Sequence, residues 1–79
     1  MWFVYILKSL KDGDLYVGST NNLRRRLADH NSGEVDSTRH RAPFTMKAYI
    51  AVRDEAKAIE LEKYFKTGSG KSILCKRIL

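Results

Sequence analysis

Seventy-nine residues suffice for one domain, since a chain this short buries only ~60–65% of its unfolded surface and cannot support two cores. A hydrophobic fraction of 43% excludes the apolar-poor profile of disorder, and the single cysteine, Cys75, excludes an internal disulfide or a cysteine-rich metal site and fits a reducing, cytoplasmic compartment. Fifteen Lys and Arg against nine Asp and Glu, a net charge of +6, point to a polyanionic partner, nucleic acid ahead of an anionic membrane surface.

Trp2 to Leu7 are apolar or aromatic throughout, which predicts a strand. The run is too short to span a membrane and has no basic leader. Asp12-Gly13 predicts a turn and Leu15-Tyr16-Val17-Gly18 a second strand, together an antiparallel hairpin. Gly18 to Asn21 break that strand, with Ser19, Thr20 or Asn21 available to cap a helix running to about Asn31. Asn31-Ser32-Gly33 closes the helix, and residues 34–43 read as a polar, mobile loop containing Thr38, Arg39, His40 and Arg41. Met46 to Val52 predicts a third strand. Asp54 caps a second helix ending at a left-handed Gly68, and Ser69 opens a last helix over about Lys71 to Ile78, with Cys75 against the core. The order is β-β-α-β-α-α, an α/β (α+β) fold with a small three-stranded antiparallel sheet flanked by helices.

Helical periodicity sorts the charged residues. At ~100° per residue, Leu23, Leu27, His30 and Arg26 share one face of the first helix, while Arg24 and Arg25 turn to solvent. In the second helix Ala58, Leu61 and Phe65 form the core stripe and Glu62 borders it, whereas Glu60 points away. A carboxylate at such a border needs a counter-charge, so Glu62 either pairs with a nearby Lys or Arg or holds a cation. Two tyrosines on a hairpin, an arginine and a histidine a turn apart and one glutamate contain the parts a phosphodiesterase needs. One carboxylate with water and phosphate oxygens around it suits Mg²⁺. The run TGSGKS at 67–72 is not a phosphate-binding loop, because Phe65 stands where the first glycine would be required. His40 lacks metal-ligand spacing and reads as a surface or nucleic-acid contact.

Val4-Tyr5-Ile6, Tyr16-Val17-Gly18 and the run Asn22-Leu23-x-x-Arg26-Leu27-x-x-His30 resemble the GIY-YIG endonuclease superfamily, in particular its small single-domain members related to the nuclease module of the ABC excinuclease. The first tripeptide departs from the pattern, with Val4 in place of glycine. The resemblance implies hydrolysis of DNA phosphodiesters with a single divalent ion, Mg²⁺ or Mn²⁺, in DNA repair or processing. Tyr5 and Tyr16 would be the paired site tyrosines, one of them helping to activate water; Gly18 would permit close packing. Arg26 would stabilise the phosphate, His30 would occupy a further site position, and Glu62, within Ala58-x-x-x-Glu62-x-x-x-Lys66, would be the metal ligand. Arg24, Arg25, Arg39 and Arg41 would meet DNA phosphates without reading sequence, leaving specificity to a homodimer or a protein partner. A nucleic-acid binding module of the same fold with little cleavage is the alternative, and an interaction domain for an acidic protein a third.

Overall fold

In the computed structural model, which describes residues 1–79, strand β1 (Trp2–Ser9) is the middle of a three-stranded sheet, paired antiparallel with β2 (Leu15–Thr20) on one side and β3 (Phe44–Val52) on the other. A central strand covered on both faces reads as an unbroken apolar run, because both sets of alternating side chains are buried. Val4 and Ile6 enter one core with Val17, Ala58, Phe65 and Leu74, while Tyr5 and Leu7 enter a second with Phe44. Helix α2 (Glu55–Phe65) supplies Ala58 and Phe65 to the first; helix α1 (Leu23–Asn31) lays Leu23 and Leu27 against the second. Val4 is fully buried in the α2-side core, so the residue that departs from the tripeptide pattern fills the core on the face opposite Tyr5. No helix is long and apolar enough to cross a membrane.

The hairpin turn holds Gly13 at φ 77, a left-handed conformation that glycine adopts without a Cβ penalty. The buried hydroxyl of Ser9 gathers this turn: it donates to the Arg41 carbonyl at 2.6 Å and accepts the amides of Lys11 and Asp12. Arg41 in turn reaches the Asp12 carboxylate at 2.7 Å. The stretch from 34 to 43, expected to be a polar, mobile loop, is thus tethered, and it contains a 3-10 turn over Arg39–Arg41. Asn31 clamps the start of β3, its amide group donating to the Phe44 carbonyl while its oxygen accepts the Phe44 amide.

Several boundaries differ from expectation. Strand β2 continues through Ser19 and Thr20, so the cap of α1 falls to Asn22, whose side chain accepts the Arg25 amide. Strand β3 begins at Phe44, two residues early, because the Asn31 clamp orders it. Gly68 is not left-handed: it opens helix α3 (Gly68–Ile73), with Thr67, not Ser69, accepting the Gly70 amide as cap. The chain then widens into a π-turn, Leu74–Ile78, in which Leu74 takes the buried position and Cys75 is left exposed.

Helix α3 folds back so closely on α2 that a Cβ at Gly70 would overlap the Tyr64 carbonyl and crowd the Phe65 backbone. Gly70→Ala is expected to lower the unfolding free energy by about 1–3 kcal/mol, as overpacking does. Gly68→Ala, where a Cβ meets nothing within 4 Å, is the control expected to be neutral or slightly stabilising. Chemical denaturation of both variants checks this.

Candidate active site

Sheet register brings the two tyrosines to one place. Tyr5 is paired with Gly18, and Tyr16 with Leu7, on neighbouring strands; the rings lie 6.3 Å apart. A Cβ at Gly18 would occupy the space of the Tyr5 hydroxyl, so glycine here makes room for the phenol. The Tyr5 oxygen lies 3.0 Å from His30 Nε2, and His30 Nδ1 lies 2.8 Å from the Thr38 hydroxyl. The Thr38 O–H points to the Val35 carbonyl at 3.5 Å. A neutral imidazole donates from one nitrogen and accepts at the other: with the Thr38 O–H turned to Val35, Nδ1–H would donate to Thr38 and Nε2 would accept from the Tyr5 O–H.

All three members of this chain are buried, Tyr5 at 3% exposure and His30 and Thr38 at 1% each. Burial, followed by the nearby Arg26 guanidinium, pushes the His30 pKa down, with Asp29 opposing. The imidazole is therefore neutral at pH 7. Burial also pushes the Tyr5 phenol well above its ordinary range, with Tyr16 and Glu62 adding to the effect and Arg26 opposing it. Tyr5 is thus a proton-bearing phenol held in place. Tyr16, on the edge strand, is only half-buried; its ring packs 5.0 Å from that of His30, and the Lys66 ammonium lies 5.9 Å from its centroid.

Arg26 sits on α1 one turn before His30. Its Nε is buried and has no hydrogen-bond partner, and the side chain makes no ion pair. Buried donors of this kind are nearly always satisfied, so an unsatisfied cationic one marks a place for an incoming acceptor. Glu62 reaches the site from α2: its Oε1 accepts the Ser19 hydroxyl at 2.7 Å, its Oε2 accepts from Lys66 at 2.7 Å, and its side chain keeps 21% exposure. The pairing with lysine that periodicity left open is therefore present. No group of three or more His, Cys, Asp or Glu side chains forms a metal cage. Instead, two phenols pack against a neutral imidazole with one unpaired guanidinium nearby, and one carboxylate stands on the α2 side of β2.

The arginines assigned to DNA lie elsewhere and differ among themselves. Arg24 and Arg25 are exposed and free of ion pairs, Arg39 pairs loosely with Asp36 at 3.7 Å, and Arg41 is committed to Asp12 and packs 5.7 Å over the Phe44 ring. The bond from Arg41 holds the Asp12 carboxyl down at about 2. Thr38 and Ser19 join the site without any signal in their sequence neighbourhood; both partner a residue that periodicity had already singled out.

A histidine whose folded pKa lies below its unfolded value, near 6.5, leaves the unfolded chain with more bound protons just below that pH. Stability is therefore complete above about pH 6.5 and is lost as pH falls toward the depressed folded value. His30→Gln should flatten this dependence while costing about 1–3 kcal/mol at neutral pH through unpaired Tyr5 and Thr38 hydroxyls. Urea titrations of both proteins from about pH 5 to 7.5 measure it.

Residues 1–74 match the family model described as the GIY-YIG catalytic domain. A UPF0213 protein of Nitratidesulfovibrio vulgaris is 44% identical over 63 residues, covering 76% of this chain and 56% of the relative. One from Bacillus licheniformis is 38% identical over 71 residues, covering 89% and 72%. The solution NMR structure of a UPF0213 protein from Bacillus halodurans superposes with a TM-score of 0.56 at 35% identity, covering 95% of this chain and 83% of that one. The chain spans little more than half of the first relative and about seven-tenths of the second. The order β-β-α-β-α-α matches that of the solved relative, and by the match over residues 1–74 the chain belongs to the GIY-YIG family, a nuclease family.

Proposed function

We propose that this chain is a divalent-metal-dependent endonuclease that hydrolyses DNA phosphodiesters, in repair or processing. The observation that carries the reading is the buried, partnerless Nε of Arg26 beside the tyrosine–histidine cluster. A guanidinium with a free buried donor suits an anionic oxygen, and phosphate offers one.

Hydrolysis forms a bond from water oxygen to phosphorus, moves the water proton to a base, breaks the opposite P–O bond and returns a proton to the leaving oxygen. Tyr16, the more exposed phenol, meets the water as its base, and the Lys66 ammonium lies 5.9 Å from its ring. Tyr5, buried and hydrogen-bonded to His30, acts as a positioning residue. Arg26 takes a non-bridging phosphate oxygen. Glu62 would hold the metal: a single carboxylate with water and phosphate oxygens fits a hard ion such as Mg²⁺ or Mn²⁺, which keeps much of its hydration. When bound, the ion supplies neutralisation of the charge that builds on the phosphate. Arg24 and Arg25, exposed and unpaired, are the phosphate contacts outside the site.

A second reading, a nucleic-acid binding module with little cleavage, has one observation in its favour: both Glu62 oxygens are already engaged, by Ser19 and Lys66. Incubation with single-stranded, nicked, branched and duplex DNA separates the two. The nuclease reading expects cleavage with Mg²⁺ and none with chelator, a loss of about 10²–10³ in rate for Arg26→Ala, and one of about 10²–10⁴ for Tyr16→Phe. Glu62→Gln should abolish the metal dependence, while Arg24→Ala lowers the salt slope of binding by about one and leaves the chemical step intact. Binding without cleavage of any substrate, unchanged in Glu62→Gln, would instead establish the binding module.

A further inference from the structure

Next to the proposed site, and sharing Tyr16 and Lys66 with it, lies a cleft whose other lining residues the cleavage chemistry does not use. It opens between β2, the end of α2 and α3, encloses about 210 Å³, and has an apolar floor in which Phe65 and Leu74 stand beside Tyr16. Its polar rim is cationic: Lys66 and Lys71 are the two charged residues lining it. Lys66 is engaged by Glu62, whereas Lys71 is exposed and makes no ion pair. Tyr16 is common to the cleft and to the cluster around His30, so a ligand seated here would lie against the same ring that faces the scissile phosphate.

We infer that this cleft seats the nucleotide flanking the cut, its base against the apolar floor and its phosphate on Lys71. The inference rests on the nuclease reading for the identity of the strand, but on the cleft alone for the ligand chemistry. Its volume is below the ~300–1,000 Å³ of drug-sized sites, which suits one base and not two. Charge complementarity favours a nucleotide over a neutral apolar ligand: a free ammonium at the mouth of an apolar cleft matches a base joined to a phosphate. A base can enter only if it has left its stack and its pairing partner. The substrate class that follows is therefore DNA with an unpaired nucleotide beside the cleavage point, such as a single strand, a flap or a frayed end.

The test has two arms. Without divalent ion, the ¹⁵N-labelled protein is titrated with deoxyadenosine 5′-monophosphate, with deoxyadenosine and with inorganic phosphate. The monophosphate is expected to shift the amides of Leu15, Lys71 and Leu74 most, Lys71→Glu to weaken its binding about fivefold or more, and Lys71→Arg to restore it. The dispersion of the variant spectra reports that the fold is intact. With Mg²⁺, single strands carrying one abasic residue at successive positions are cut, and loss of the base beside the cleavage point should slow cutting about fivefold or more, as loss of a stacking contact does. Shifts away from the cleft, shifts reproduced by phosphate alone, or equal binding by Lys71→Glu would overturn the inference, even where the protein cleaves DNA. Cleft shifts that respond to Lys71, in a protein that cuts no DNA, would keep the nucleotide site and overturn the nuclease reading.

Discussion

The imidazole of His30 ties three separate segments of the chain together. Through Nε2 it meets the Tyr5 hydroxyl on the central strand, and through Nδ1 it meets Thr38 in the stretch before β3, while its backbone belongs to α1. Burial and the neighbouring Arg26 guanidinium favour its neutral form, which donates from one nitrogen and accepts at the other. The constraint fixes the angle of α1 against the sheet, and with it the place where Arg26, one turn earlier, meets the tyrosines. Gly18 serves the same contact from the neighbouring strand by leaving space for the Tyr5 hydroxyl.

From that anchor the electrostatics of the site follow. Arg26 is kept cationic and without an acceptor near two phenols, while Glu62 is balanced by Lys66 on the other side of the edge strand. The two halves come from opposite faces of the sheet, α1 on one and α2 on the other, and β2 carries Tyr16 and Gly18 on the first face and Ser19 on the second. An edge strand is the one place in a three-stranded sheet where side chains from both faces can reach a common ligand. This geometry explains why the cleft beneath Tyr16, although lined from the α2 side, opens beside the residues proposed for cleavage.

Much of this was legible in the amino-acid order. Element sequence, the hairpin turn and the inward turn of Arg26, His30 and Glu62 all follow from periodicity, because each of those side chains borders an apolar stripe set by residues three or four positions away. What was not legible depends on contacts between distant segments. Thr38 lies in a polar stretch without periodicity, and nothing local distinguishes it from its neighbours; its partner His30 belongs to α1, eight positions earlier. The early start of β3 depends on Asn31, thirteen positions before Phe44. Gly68 looked like a left-handed cap because its propensity favours one, but Thr67 captured the Gly70 amide and began a new helix instead. Cys75 looked like a core residue by composition, and the π-turn at Leu74 rotated it outward.

The rest of the site stands on His30 being a neutral imidazole with its proton on Nδ1, taking the Tyr5 hydrogen bond at Nε2. Two-dimensional ¹H–¹⁵N correlation of the histidine ring measures this directly at neutral pH. The expected spectrum has a proton-bearing nitrogen at Nδ1 and a lone-pair nitrogen at Nε2, with the Nε2 resonance displaced in Tyr5→Phe. A proton found on Nε2, or an imidazolium at neutral pH, would contradict it.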